Sequence, residues 1–151
     1  MPKALLVFTP HQKEWEKLSG LDLASQTEGK SRRAVQNFPQ GTVIVEKGPH
    51  TRIWTSGQDE GYQLDVGGPY QATGGMGDTL AGMIAGFAGQ FPQVSLYERV
   101  VVATYLHSAI AEDLSKEAYV VLPTTISQEI PKWMKKWSDN LNENVENETF
   151  S

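Results

Sequence analysis

The chain has 151 residues, of which 39% are hydrophobic, and its formal net charge at pH 7 is −5. This size and apolar content suit one compact domain, and the acidic balance disfavours a nucleic-acid-binding scaffold, which normally carries a basic stripe. The absence of cysteine excludes disulfides and thiolate metal sites and suits a reducing compartment. Neither a signal peptide nor an apolar segment of membrane-spanning length is indicated, so we expect a cytoplasmic protein that does not contact a membrane.

Apolar runs in the first third of the chain predict an α/β fold. Ala4 to Phe8 is continuously apolar, which is typical of a central strand buried on both faces of a parallel sheet. Short helices are expected from Gln12 to Leu18 and from about Ser31 to Phe38, the second ended by Pro39. Val43 to Val45 is the next expected buried strand.

The strand at Val43 to Val45 is expected to continue into a β-meander. Thr51 to Trp54 and Tyr62 to Val66 are short strand-like runs, and a turn-forming segment from Gly57 to Gly61 separates them.

Three helices are expected in the second half of the chain: Asp78 to Phe91, Leu96 to Leu114 and Ile126 to Trp137. The first carries small residues at a spacing that predicts close packing against a neighbouring backbone, namely Gly82, Gly86 and Gly89. The second is apolar on most sides and is expected in the interior, and the apolar face of the third is expected to meet the core or a subunit partner. Residues 139–151 are polar and acidic, so we place the domain at 1–138 and expect a disordered tail.

The most informative stretch runs from Gly74 to Gly82, with the sequence Gly-Gly-Met-Gly-Asp-Thr-Leu-Ala-Gly. Glycines let the backbone approach a ligand closely, and the unpaired amides at a helix start attract phosphate or a developing oxyanion. Asp78 would then be a base beside an anion site, although a helix cap is the common use of such a residue. No lysine follows the glycines, which argues against a Walker A loop.

A local cluster of positive residues precedes the glycine-rich stretch. Lys47, His50 and Arg52 lie close together in sequence, and a few such groups are enough to bind a small anionic ligand. A solvated basic turn explains the cluster equally well.

His11 follows the first predicted strand, in the sequence Thr9-Pro10-His11. Ligand groups in α/β proteins gather at the carboxyl edge of the sheet, so substrate contact is one interpretation. The other is that the ring satisfies a local backbone group. Glu14 lies three residues further on and is expected to brace His11 or, more simply, to cap the helix.

His107 lies inside the predicted interior helix and is expected to be a hydrogen-bonded core or interface histidine. The three histidines lack the spacing of metal ligands, and cysteine is absent, so no structural zinc site is expected. Any metal is expected to be Mg²⁺ that arrives with nucleotide phosphates and is held by them and by water.

The chain resembles the carboxy-terminal half of ADP/ATP-dependent NAD(P)H-hydrate dehydratases, which belong to the ribokinase-like superfamily. Three separated motifs carry the resemblance: Thr9-Pro10-His11 with Glu14 and Leu18, then Glu46-Lys47-Gly48 with Thr51, then Gly68-Pro69 and Ala72 through Gly82. The runs Tyr105-Leu106-His107 and Val121-Leu122-Pro123-Thr124 are also similar. The glycine-Asp motif alone indicates the superfamily, and the Thr-Pro-His element narrows it to the family.

The resemblance implies a three-layer α/β/α sandwich, of which this chain supplies the carboxy-terminal half. It also implies an enzyme that repairs hydrated NADH or NADPH: a nucleotide phosphorylates the added hydroxyl, and loss of phosphate restores the dihydronicotinamide. The implied co-substrate is ADP, usual in bacterial members, or ATP, usual in eukaryotic ones, each with Mg²⁺. The implied partners are these small molecules, further copies of the chain and an amino-terminal half on a separate chain.

The resemblance also assigns roles to individual residues. Asp78 would activate the hydroxyl and contact the substrate, and His11 would contact the hydrated cofactor. The nucleotide site would be lined by Lys47, Gly48, Pro49, His50, Thr51 and Gly77. The transferring phosphoryl group would be stabilised by the amides of Gly75, Met76 and Gly77.

Two alternatives remain open on the sequence. A small-molecule kinase of the same superfamily, acting on a vitamin precursor or a sugar, would use Asp78 in the same way but release a phosphorylated product. A noncatalytic nucleotide-binding fragment is the other alternative, because family catalytic domains are about twice as long and their first half supplies strands that Leu5 to Phe8 would need as neighbours.

Overall fold

The computed structural model describes residues 6–48, 50–59, 61–65, 76–90, 93–116, 125–136 and 139. The described strands are β1 (Val7–Phe8), β2 (Val43–Glu46), β3 (Arg52–Thr55) and β4 (Tyr62–Gln63). The helices are α1 (Gln12–Ser19), α2 (Glu28–Val35), α3 (Met76–Ala88), α4 (Leu96–Ser115) and a helix at residues 125–136, called α5 below. A short 3-10 helix at Leu23–Ser25 connects α1 to α2.

The described strands form one mixed sheet in the order β1-β2-β3-β4. β1 pairs parallel with β2, whereas β2, β3 and β4 pair antiparallel in sequence order, with Ile44 opposite Trp54 and Val45 opposite Ile53. The predicted β-meander is therefore confirmed. Gly57, which has φ 99°, allows the chain to reverse between β3 and β4, because this left-handed region favours glycine.

Helices cover both faces of the sheet, because successive strand residues point to opposite sides. On one face, Ile44 and Trp54 pack with Trp15 of α1 and with Ala34 and Val35 of α2. The other face packs against α3 and α4 through a second cluster, made of Val43, Val45, Ile53, Leu80, Ile84, Val100 and Ala103. This arrangement is the expected three-layer α/β/α sandwich.

The three later helices share a further core away from the sheet. Its buried members are Met83, Leu106, Ile110, Ala111 and Ile126, and Ile130, Trp133 and Met134 of α5 pack against them. The prediction that the long helix is interior is confirmed, and the apolar face of α5 meets the core as expected. Trp137 lies outside the described residues, as does the expected tail apart from residue 139, which is helical.

The prediction that the first strand is central and buried on both faces is wrong for the described sheet. β1 pairs only with β2 among the described strands, its two residues are half-buried, and Leu6 just before it is 44% exposed. The exposure follows from the sheet order, since no other described strand covers the second edge of β1. Ala4 and Leu5, the first residues of the predicted strand, lie outside the described residues.

Two helix starts also differ from the prediction. α2 begins at Glu28, three residues before the predicted Ser31, because the hydroxyl of Thr27 caps the helix by accepting a hydrogen bond from the Lys30 amide at 3.4 Å. α3 begins at Met76. Asp78 therefore lies within the first turn of α3 instead of opening it.

Within the described part of the chain, the small-residue face predicted for α3 does not pack against a backbone. A Cβ placed on Gly82 or Gly86 would have none of the described atoms within 4 Å, and the helix turns Leu80, Met83 and Ile84 towards the core instead. The larger apolar side chains determine which face is buried, because they remove more apolar area from water than glycines do. No helix in the described ranges is both long and apolar enough to cross a membrane.

Candidate active site

His11 opens α1 as its N-cap. The ring Nδ1 accepts a hydrogen bond from the Glu14 amide at 3.2 Å, and Glu14 Oε1 accepts one from the His11 amide at 3.1 Å, which is a reciprocal capping box. His11 Nε2 lies 3.0 Å from the same Glu14 oxygen, and the ring is 60% exposed. The capping interpretation of Glu14 is confirmed, and the cap holds the His11 ring at the end of β1 in an accessible position.

The loop after β1 is joined directly to the end of β2. The Lys47 amide donates a hydrogen bond to the Pro10 carbonyl at 2.9 Å, so the residues next to His11 and the start of the Lys47 turn lie side by side. Gly48 follows closely against α1, because a Cβ placed there would lie 3.4 Å from Gln12 Nε2. The sheet thus brings two of the three sequence motifs to one edge.

The turn after Lys47 is closed by a weak hydrogen bond of 3.4 Å from the Thr51 hydroxyl to the Gly48 carbonyl. His50 is exposed within this turn, and Pro49 lies outside the described residues. Arg52 does not share the Lys47 position: its guanidinium faces acceptors on Glu46, Gln63 and Gln26 at 3.8, 3.4 and 3.5 Å. Arg52 is therefore engaged by other groups, and Lys47 and His50 are the members of the basic cluster that could contact a ligand.

The third motif reaches the same place through the first turn of α3. A Cβ placed on Gly77 would lie 3.4 Å from Lys47 Nζ, so the lysine ammonium sits against a glycine backbone at a helix start. The first amides of a helix have no partner within the helix and carry its positive dipole end. The Lys47 charge and the amides of Met76 and Gly77 together form a place suited to an anion.

The proposed base and part of the anion hole are only partly described. The main chain of Asp78 lies in the first turn of α3, directly after Gly77, whereas its side chain and all of Gly75 lie outside the described residues. The contact of the Asp78 carboxylate with a substrate therefore stays a prediction. The described residues contain no group of three or more side chains able to hold a metal ion.

His107 of α4 is buried, as predicted. The side chain is 3% exposed, and its Nε2 has no hydrogen-bond partner among the described residues. Burial, with a smaller contribution from the charge of Lys47, lowers the pKa of His107 to about 4, and the ring is neutral at pH 7.

Sequence reasoning gave no separate role to Glu46, the residue just before Lys47. Its side chain is 6% exposed, and it accepts hydrogen bonds from the Ser31 hydroxyl and the Trp54 indole, each at 3.0 Å. One sequence signal could have identified Glu46: it is a carboxylate at the end of an otherwise apolar strand, and the neighbouring strand carries a tryptophan. It indicates a buried polar centre beneath the site.

Comparison with known proteins places the chain in a family. A family model described as NAD(P)H-hydrate dehydratase matches residues 1–132. An ADP-dependent (S)-NAD(P)H-hydrate dehydratase from Streptococcus pneumoniae is 67% identical over 134 residues, which are 89% of this chain and 46% of that protein. The chain thus spans about half the length of the curated relatives it matches.

Solved structures agree. A ribokinase-like superfamily protein from Enterococcus faecalis is 49% identical, with a TM-score of 0.79 over 87% of this chain and 44% of that one. The ADP/ATP-dependent NAD(P)H-hydrate dehydratase from Bacillus subtilis, co-crystallized with ATP/Mg²⁺, is 30% identical, with a TM-score of 0.75 over 90% of this chain and 50% of that one. The α/β sandwich is therefore ribokinase-like, and the chain belongs to the NAD(P)H-hydrate dehydratase family.

Proposed function

We propose that this chain supplies the nucleotide-binding and catalytic loops of an ADP- or ATP-dependent NAD(P)H-hydrate dehydratase. The observation that carries the proposal is the position of Lys47 Nζ against Gly77 in the first turn of α3. A lysine ammonium and helix-start amides at one place suit the phosphates of a nucleotide. The donor named for the Streptococcus pneumoniae relative is ADP, so we expect ADP to be the preferred phosphate donor.

The reaction follows from positioning and charge. A nucleotide phosphate bound by Lys47 and the α3 amides would face Asp78, which accepts the proton of the hydrate hydroxyl as its oxygen attacks the terminal phosphorus and the shortened nucleotide leaves. The bond between the ring carbon and the ester oxygen then breaks and inorganic phosphate leaves with that oxygen. Loss of a proton from the neighbouring carbon re-forms the ring double bond. Such transfers depend mainly on alignment and on stabilisation of the moving charge.

His11 is the proposed contact for the hydrated cofactor. Its ring stands exposed at the sheet edge that carries Lys47, and the capping box with Glu14 fixes its orientation. A fixed, accessible imidazole can meet a ring or amide group of the substrate without a large entropic cost. Mg²⁺ would be held by the phosphates and water.

The exposed edge at β1 favours a second candidate in which this chain binds nucleotide but does not turn it over alone. β1 lies at one end of the described sheet, and no other described strand pairs with its second edge. Its residues are half-buried, and Leu6 just before it is exposed. We propose that full activity needs the strands that the longer relatives supply, whether these belong to the same polypeptide or to a separate chain.

Product analysis decides between these functions. The chain is mixed with hydrated NADH, Mg²⁺ and ADP, and the products are followed by phosphorus NMR and by dihydronicotinamide absorbance. Restored absorbance together with free phosphate supports the dehydratase, and a stable phosphate ester supports a kinase. Binding of ADP without either product supports the nucleotide-binding fragment, whereas a folded chain that does not bind ADP contradicts the proposed nucleotide site.

A further inference from the structure

One buried carboxylate links four elements directly beneath the candidate site. Glu46 Oε1 accepts a hydrogen bond from Ser31 Oγ of α2, and Glu46 Oε2 accepts one from Trp54 Nε1 of β3, each at 3.0 Å. Ser31 Oγ in turn accepts a hydrogen bond from Trp15 Nε1 of α1 at 3.1 Å. Because Glu46 ends β2, this chain of bonds fixes α1, α2 and β3 to the strand that leads into Lys47.

Stability alone does not explain a carboxylate at this place. Among the ion pairs of the described residues, the cation nearest to Glu46 is Arg52, at 3.8 Å, and this distance is too long for a strong charge-assisted bond. A buried charge costs desolvation energy that an apolar side chain of similar size would avoid, and such groups are retained where they specify one arrangement. The arrangement specified here is the register of α1 and α2 against the end of β2.

This register determines the relative position of two site loops. On one side, Glu46 is bonded covalently to Lys47, whose amide donates to the Pro10 carbonyl. On the other side, Trp15 belongs to the first turn of α1, and its amide donates to the His11 carbonyl at 2.8 Å. Glu46 is therefore connected to the Lys47 turn through the main chain and to the His11 loop through Ser31 and Trp15.

We infer that Glu46 is a positioning residue, which sets the spacing between the His11 loop and the Lys47 turn through the Ser31 and Trp54 hydrogen bonds. The inference rests on the proposed function only for the identity of the ligand, a nucleoside diphosphate. Removal of the carboxylate loosens the Lys47 end of β2, while the other end of the same strand keeps its pairing.

Amide hydrogen exchange tests this spacing without any ligand. Besides the pairing of β1 with β2, a hydrogen bond flanks the pairing at each end: Val43 amide to Leu6 carbonyl and Lys47 amide to Pro10 carbonyl, both 2.9 Å. In Glu46→Ala we expect exchange at Lys47 to rise about tenfold relative to exchange at Val43. Ile44→Val, which trims a buried side chain on the same strand and face, is expected to leave this ratio unchanged. An unchanged ratio in Glu46→Ala overturns the inference.

Binding of ADP with Mg²⁺, measured by calorimetry, connects the spacing to the site. We expect Glu46→Ala to raise the Kd by about tenfold, and Glu46→Gln to raise it less, since a glutamine can still bond Ser31 and Trp54. Glu28→Gln, an exposed carboxylate on α2, is the control with unchanged Kd. If the exchange ratio rises but the Kd of Glu46→Ala equals that of Ile44→Val, the positioning role is overturned. If the parent chain does not bind ADP, the proposed function fails, and the exchange ratio still decides the structural part.

Discussion

Gly77 lies in the first turn of α3, next to the ammonium group of Lys47. A methyl group added there would lie 3.4 Å from Lys47 Nζ, in the space that the proposed phosphate needs. We predict that Gly77→Ala leaves the melting temperature nearly unchanged and weakens ADP binding by about tenfold. Calorimetry with Gly82→Ala as the matched control checks this, since a Cβ on Gly82 meets nothing within 4 Å. Equal affinity in both variants would place the phosphate elsewhere.

Because the pKa of His107 is lowered, the protein is expected to lose stability as the pH falls. Its pKa is about 4 in the folded chain and 6.5 as an unperturbed value, so the unfolded chain binds more protons between these limits. Stability contributed by the neutral ring is therefore complete above pH 6.5 and is lost as the pH falls towards about 4. At pH 5 the expected loss is about 2 kcal/mol.

Urea denaturation of the parent chain, His107→Gln and His50→Gln over this pH range measures the effect. The slope is expected to disappear in His107→Gln and to persist in His50→Gln, whose side chain is exposed. A slope that survives in His107→Gln would assign the pH dependence to another group.

The roles of individual residues were only partly accessible from sequence. The capping box of His11 and Glu14 is a local pattern, so it was predictable. The buried carboxylate of Glu46 was not, because its hydrogen-bond donors lie 15 and 8 residues away. That His107 Nε2 has no partner among the described residues likewise depends on which elements pack around α4.

At the scale of elements, α3 shows why a sequence spacing does not identify a packing face. Gly82 and Gly86 lie on its open side, and each carries the entropic cost of glycine inside a helix. We predict that Gly82→Ala and Gly86→Ala each raise the free energy of unfolding by about 0.5–1 kcal/mol. Urea titration checks the change, and a loss of stability in either variant would show that this face packs against something.

Element types were predictable because apolar periodicity reports them directly. The strand at Val43, the meander after it and the interior helix from Leu96 all have strong patterns. Helix boundaries were harder to predict. The start of α2 depends on the hydroxyl of Thr27, and several nearby residues could have served as the cap. The edge position of β1 depends on which strands accompany it, which its own apolar sequence cannot specify.

At the scale of the whole molecule, the described sheet has an unpaired edge at β1 and a site assembled at the carboxyl end of that strand and of β2. An open edge favours pairing with another strand, and association with further copies of the chain stays a prediction. We predict that an amino-terminal half taken from the Streptococcus pneumoniae relative, which is 67% identical over the matched part, binds this chain and slows amide exchange at Val7, whose amide faces the unpaired edge. Unchanged exchange on mixing would contradict pairing at this edge.

We propose that this chain carries the base and the nucleotide loops of NAD(P)H-hydrate repair. The most direct test is recovery of dihydronicotinamide absorbance from hydrated NADH with ADP and Mg²⁺, using the chain together with that amino-terminal half, and repeating the assay with Asp78→Asn. We predict recovery with the parent chain and a loss of at least about a hundredfold with Asp78→Asn. No recovery from folded, associated halves, or equal recovery with Asp78→Asn, would contradict the claim.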